Sequence, residues 1–418
     1  MTTQTSRFSS FAYLNTSQTL GAFNDNFFKL LVGYFLIKME GAENSQRLLA
    51  VAGAVYVLPF LIFSRVGGQL ADHFSKRNVI IVTRLCQLVV GLLSILAFHF
   101  ESKLGAYCCL FALTTFSTIF TIARNSVLPE LIPKEKISKV NGIMASFSFL
   151  GIIVGAFSAS FILEISNHNF VMAGMFLTFI ASLSLLASLC VEYTPPNRGK
   201  HKIKLFFLAE IYDSLKLAYQ YPSLLPSIFG AAYFLFFGAF CQLNIIPFAM
   251  QSLNMTDVQG GYLFLLSAVG IGAGSLLAGK ISGNTVELGL IPIVGVAMGV
   301  CCFFMDIFSV SFTAVVILAI LIGLFGGMFD IPQESNIQLQ SPQESRGKII
   351  AASRFLSFFG VLCASGLLYI LSEVFHLNAS TGFLILGALT LVVVALLSAC
   401  YFKSLKRFLG GGAFKRCL

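Results

Sequence analysis

Apolar residues run along this chain in blocks of roughly 20 parted by short polar breaks, the length a helix needs to cross about 30 Å of hydrocarbon. Each block predicts a helix rather than a strand, because an isolated span must satisfy its own backbone N–H and C=O groups where water is absent. The pattern predicts twelve spans at 10–37, 47–65, 78–98, 104–123, 140–163, 170–191, 224–249, 258–279, 286–305, 310–329, 348–372 and 380–402. The longest polar interruption, from about 192 to 223, divides them six and six. It holds Pro195-Pro196, the basic run Arg198, Lys200, Lys202 and Lys204, and a surface helix expected over 204–219. The reading is an all-α membrane protein: an N-terminal six-helix bundle (1–192), a linker with an amphipathic helix (193–223), a C-terminal six-helix bundle (224–402) and a basic tail (403–418).

Composition agrees. The 418 residues are 57% hydrophobic and 11% charged, against about 25% charged in a soluble domain. Twelve spans put both termini on one side, and Lys and Arg choose it, because cytoplasmic loops carry the excess. With the termini inside, only Lys38, Arg47 and Lys103 fall outside and Lys29 falls within a span, so the remaining basic residues are assigned to the cytoplasmic side. The linker and the tail cations Lys403, Lys406, Arg407, Lys415 and Arg416 fit anionic membrane lipid rather than nucleic acid. The ten cysteines lie mostly inside apolar blocks without C-x-x-C spacing, as expected of inert thiols. The first span lacks a short apolar region followed by an A-x-A site, so it is expected to stay in the mature protein.

Residues 67–77 read GGQLADHFSKR. The glycines are expected to permit a tight turn between two spans. Asp72 is expected near the start of the third helix, beside its unsatisfied N–H groups, or bridging to Arg346 or Lys348 as a latch. Lys76, Arg77 and Gly68 belong to the same candidate gate. Asp330 and Glu334, one turn apart where the tenth span is expected to end, and Arg354, about two turns into the eleventh, are candidates for an intracellular gate, with Asp330 and Glu334 equally readable as ordinary loop carboxylates.

The first span carries Asn15, Gln18, Asp25, Asn26 and Lys29 within about 100° of helical arc. An ionised side chain at mid-bilayer costs about 2.5–3.5 kcal/mol, so such a stripe should face a cavity or a partner helix. Two readings stand for Asp25 and Lys29: a structural i,i+4 pair, or substrate or ion handling. The fourth span has a matching face of Thr114, Ser117, Thr118, Thr121, Arg124 and Asn125. Arg124 is either a loop-side charge or a phosphate ligand suited to its planar donor fork. Glycines in the fifth span (Gly151, Gly155) and the eighth (Gly270, Gly272, Gly274, Gly279) suit close helix packing. The stretch 274–281, GSLLAGKI, lacks the hydroxyl of a phosphate-binding loop and follows no strand, so no ATPase and no cofactor is expected.

The 67–77 segment resembles the G-x-L-A-D-x-x-G-R-[KR] signature of the major facilitator superfamily, with Ser75 in place of its second glycine. The six-plus-six division is similar to that superfamily's organisation, which implies alternating access to a midplane site. Segments 21–26 (GAFNDN), 68–76 (GQLADHFSK), 128–131 (LPEL) with 136–142, and 326–332 (GGMFDIP) resemble the bacterial lysophospholipid transporter family, some members of which are fused to acyltransferases. That resemblance implies an inner-membrane protein moving lysophospholipid, such as lysophosphatidylethanolamine, to the cytoplasmic leaflet for reacylation by a lysophospholipid acyltransferase. It also implies that Asp25 and Asn26 match the family's first-helix acidic motif, and that Arg124 stands where members carry a basic residue. The family's basic residue in the seventh span has no match, since 233–251 contains none.

Three competitors follow. One is a proton-coupled exporter of amphipathic drugs or siderophores, although Gly155 is followed by Ala156 where the antiporter signature has proline. Another is a transport-inactive accessory or receptor subunit. The third, a membrane acyltransferase, lacks its H-x-x-x-x-D pair, because none of the five histidines has Asp five residues on.

Overall fold

The computed structural model describes residues 2–41, 45–196, 207–255, 257–283 and 285–409, and is helical with no strand among them. The helices are α1 (Thr2–Glu40), α2 (Ser45–His73), α3 (Lys76–His99), α4 (Lys103–Leu131), α5 (Ile137–Ile165), α6 (Phe170–Leu189), α7 (Phe207–Tyr219), α8 (Leu224–Leu253), α9 (Asp257–Ser282), α10 (Leu290–Ile307), α11 (Phe312–Gln340), α12 (Arg346–Tyr369), α13 (Ala379–Cys400) and α14 (Phe402–Arg407). All twelve predicted spans are present as long helices, with α7 as the linker helix. The linker cations Arg198, Lys200, Lys202 and Lys204, and Lys415 and Arg416 of the tail, lie outside the described residues.

Among the described residues, eleven of the long helices are apolar enough, by length and composition, to cross a membrane. The exception is α1, whose polar residues dilute its hydropathy. It is nonetheless an inner helix, with Leu14, Phe27, Phe28 and Leu31 fully buried against its neighbours. Outward faces are apolar instead: Leu85, Val89, Leu92 and Leu96 on α3 are exposed at i, i+4, i+7 and i+11, the stripe of a helix facing lipid. This is a multi-pass membrane protein.

Several helices outrun their apolar blocks at one end, because hydropathy marks hydrocarbon thickness and helix length follows packing. α2 continues to His73, α4 to Leu131 and α11 to Gln340, which corrects three expectations. Gly67 and Gly68 form no turn but lie inside α2. Asp72 sits at the end of α2 and not at the start of α3. Asp330 and Glu334 lie within α11 and not past its end. Ser75, in the signature's glycine position, is the N-cap of α3 with φ −55°, a conformation that needs no glycine.

Contacts divide the chain into two compact units. The first comprises Met1–Ile132, Leu150–Leu215 and Ser341–Phe355, so it includes the start of α12. Its aromatic core joins Phe27, Phe28 and Phe35 of α1 to Phe98 of α3 and Phe170 of α6. The second comprises Pro133–Phe149, Lys216–Gln340 and Leu356–Leu418, so it includes the start of α5. Its core joins Phe234, Phe237 and Phe240 of α8 to Met298, Phe329 and Phe383. Within it α9 and α11 touch backbone to backbone: a Cβ on Gly274 would sit 2.9 Å from Leu324 Cα, and one on Gly323 3.0 Å from Ile271 N. Lipid supplies no hydrophobic drive between helices, so close packing of this kind holds them.

Candidate functional site

In the first unit, Asp25 of α1 is 6% exposed and accepts a hydrogen bond from the Ser117 hydroxyl of α4. The two polar faces expected on the first and fourth spans therefore meet. Asp25 and Lys29, one turn apart, take separate partners: the Lys29 ammonium lies 5.2 Å from the centre of the Tyr56 ring, a cation–π contact. Asn26 donates to Ala22 O of its own helix at 2.9 Å. Thr118 is buried and donates to Thr114 O at 2.8 Å, while Thr121 and Arg124 are half-buried further along α4.

Next to this cluster lies Arg84, which the sequence reading missed by assigning every cation except Lys29, Lys38, Arg47 and Lys103 to the cytoplasmic side. It is buried in α3 and donates through Nε to Ser17 Oγ (3.1 Å), through Nη1 to Gln87 Oε1 (2.6 Å) and through Nη2 to Ser17 O (2.8 Å). Its guanidinium stacks 3.5 Å from the Phe120 ring centre, and it is an electrostatic counter-charge to Asp25. Gly21 makes room for it, since a Cβ there would lie 2.7 Å from the guanidinium carbon. A lone Arg six residues past the start of the 78–98 block was the available signal.

The candidate gate is assembled at the ends of α2 and α4 and the start of α12, all in the first unit. Asp72 is 1% exposed; its Oδ1 accepts from Gly347 N at 2.7 Å and its Oδ2 from Lys348 N at 3.0 Å. The carboxylate thus caps the N-terminus of α12 through the backbone amides of Gly347 and Lys348, with the Lys76, Arg346 and Lys348 charges acting on it electrostatically. The helix end's positive dipole and unpaired N–H groups make that the stronger site for an anion. Gly68 allows the approach, because a Cβ there would sit 2.8 Å from Gly347 O.

Lys76, with no exposed side-chain surface, pairs with Glu130 of α4 at 2.8 Å, and Arg346 Nη1 lies 4.0 Å from the same carboxylate. Glu130 was not among the expected gate residues, although it stands in the LPEL segment. Arg77 turns elsewhere, donating to Val191 O (2.6 Å) and Leu189 O (2.9 Å) at the end of α6. Asp330 and Glu334 are half-buried in α11, and Arg354 is half-buried in α12.

In the second unit the polar side chains of α8 serve neighbouring helices. Tyr233 OH is 2.6 Å from Thr390 Oγ1, and Asn244 donates to Ala379 O at 2.8 Å. Arg407 of the tail lies 3.4 Å from Glu287.

A sequence model described as Major Facilitator Superfamily matches residues 14–242 and 228–410. The chain belongs to that superfamily. It has the superfamily's twelve-helix fold and is a transporter. Among proteins of known name, it is 26% identical over 328 residues to the lysophospholipid transporter LplT of Enterobacter sp. (strain 638), covering 78% of this chain and 79% of that protein. It is 25% identical over 347 residues to the enterobactin exporter EntS of Escherichia coli O1:K1 / APEC, covering 79% of each. Solved structures agree on the fold. The E. coli fucose:proton symporter FucP superposes with a TM-score of 0.75 at 15% identity, covering 93% of this chain and 97% of that one. The human organic anion transporter MFSD10 gives 0.74 at 14%, covering 94% and 99%.

Proposed function

We propose that this transporter moves lysophospholipid, such as lysophosphatidylethanolamine, to the cytoplasmic leaflet of a bacterial inner membrane by alternating access of its two six-helix halves, without ATP and with both termini cytoplasmic. The observation that carries the reading is the buried carboxylate of Asp25, held by Ser117 in the interior of the first half with Arg84 as its counter-charge. A single-chain lipid needs few polar anchors for its headgroup and a mostly apolar wall for its acyl chain, and the likeness to LplT points to the same cargo. Asp25, Asn26, Lys29, Thr118, Thr121 and Arg124 line the headgroup path. Gly68, Asp72, Lys76 and Arg77, with Asp330, Glu334 and Arg354, control closure. Cargo delivered to the cytoplasmic leaflet is a substrate for a lysophospholipid acyltransferase, the expected functional partner.

The likeness to EntS favours a second reading, proton-coupled export of an amphipathic small molecule with Asp25 as the titrating group. Proteoliposomes separate the two. Protein-dependent removal of labelled lysophosphatidylethanolamine from the outer leaflet without a proton gradient supports lipid movement. Gradient-driven siderophore transport with no lipid movement supports export.

A further inference from the structure

We infer that Asn141, Ser335 and Gln338 form a second, uncharged latch, which holds the start of α5 to the second half as Asp72 holds the start of α12 to the first. The inference rests on the alternating-access reading. The Asn141 amide donates to Ser335 Oγ and to Gln338 Oε1, both at 3.0 Å, and the Gln338 amide returns a hydrogen bond to Asn141 Oδ1 at 3.2 Å. Two side-chain amides thus close a reciprocal ring, with Asn141 6%, Gln338 1% and Ser335 0% exposed. Ser335 Oγ in turn donates to Ile331 O at 2.7 Å, which fixes it as an acceptor for Asn141.

The surrounding seam lets the ring form. A Cβ on Gly142 would lie 3.2 Å from Ser275 C, and one on Gly279 3.0 Å from Lys139 Cα, so α5 and α9 meet backbone to backbone. One turn on, the Ser146 hydroxyl donates to Gly272 O. The α5 start follows α4 through Ile132, Pro133 and the 3₁₀ turn Lys134–Lys136. The corresponding turn before α12 is Gln343–Ser345 after Pro342. The chain therefore crosses between halves twice through the same Pro-x-Glu turn. One crossing is held by a carboxylate on a helix N-terminus and the other by paired amides.

Both amides satisfy each other when the seam is shut, and parting them exchanges those bonds for bonds to the entering water at a net cost. Opening on this side must break the ring, which makes it a determinant of how often that side opens. A carboxylate at either position loses the donor the ring requires.

The test uses full-length protein in proteoliposomes with its ten cysteines replaced and one introduced by Ser138→Cys, at a buried position one turn before Asn141. A water-soluble maleimide present on both sides reports opening. Asn141→Ala and Gln338→Ala should each raise the labelling rate by about tenfold, and the double variant no further, because one ring is lost in all three. Asn141→Asp should act the same way if alanine impairs insertion, and the exchanged pair Asn141→Gln with Gln338→Asn should return labelling toward the native rate. Unchanged labelling, or fully additive increases, would overturn the latch. Labelling that behaves as expected in protein that moves no lysophospholipid would overturn the cargo assignment and leave the latch standing.

Discussion

The Lys76 ammonium and the Glu130 carboxylate meet at 2.8 Å with no part of the lysine side chain exposed, joining the start of α3 to the end of α4. Beside them Asp72 caps α12, and Arg346 of that helix reaches toward the same Glu130. One carboxylate therefore answers two cations, one from each half of the sequence.

Breaking the lysine pair strands a buried charge. Lys76→Met should lower stability by roughly 3–5 kcal/mol, read as a fall in thermal midpoint in detergent. Combining it with Glu130→Leu should recover most of that loss, since a buried pair replaced by apolar residues of similar volume is often neutral. A double variant as unstable as the single would mean the positions matter for something other than charge pairing.

Asp72 holds α12 by two charge-assisted hydrogen bonds, each worth about 1.5–3 kcal/mol. Asp72→Ala should shift the balance of transport states enough to cut initial transport rates by about tenfold or more. Arg346→Lys, which leaves both backbone contacts in place, should cost much less. Equal losses in both would place the latch on the Arg346 side chain, one of the two cations the sequence suggested.

Arg84 and Gly21 form a size-matched pair. Gly21→Ala should destabilise by about 1–3 kcal/mol through overpacking. Arg84→Lys should be harmful by itself, because an ammonium can neither fork to Ser17 and Gln87 nor stack on Phe120 in the same way. With both changes the thermal loss should be smaller than the two single losses added, since lysine vacates the space the new methyl enters. Strict additivity would show that the two positions do not interact.

What the sequence made legible follows from what hydropathy senses. The spans were readable because lipid demands apolar length, and the polar residues of α1 were readable as one face because they share one arc. Gly68 illustrates the limit. A glycine pair before a charged segment reads as a turn, yet here it is helical and its missing side chain serves contact with Gly347, a residue 279 positions away in the chain. The Asp72 partner was legible only in part: charge matching pointed to Arg346 or Lys348, and so to the right turn of α12, but backbone amides leave no mark in a sequence. Arg84 was hidden by the habit of placing arginine in loops, though Ser17, Gln87 and Phe120 supply the partners that make it stable in the bundle. The Asp25–Ser117 contact was legible because both lie on polar faces of otherwise apolar helices.

The account stands on a carboxylate inside the first half serving lysophospholipid movement. Its most direct test is the rate at which reconstituted protein removes labelled lysophosphatidylethanolamine from the outer leaflet of proteoliposomes. Wild type should exceed protein-free vesicles clearly, and Asp25→Ala should fall to their level while inserting in equal amount. Asp25→Ala vesicles that move the lipid as fast as wild type would contradict it.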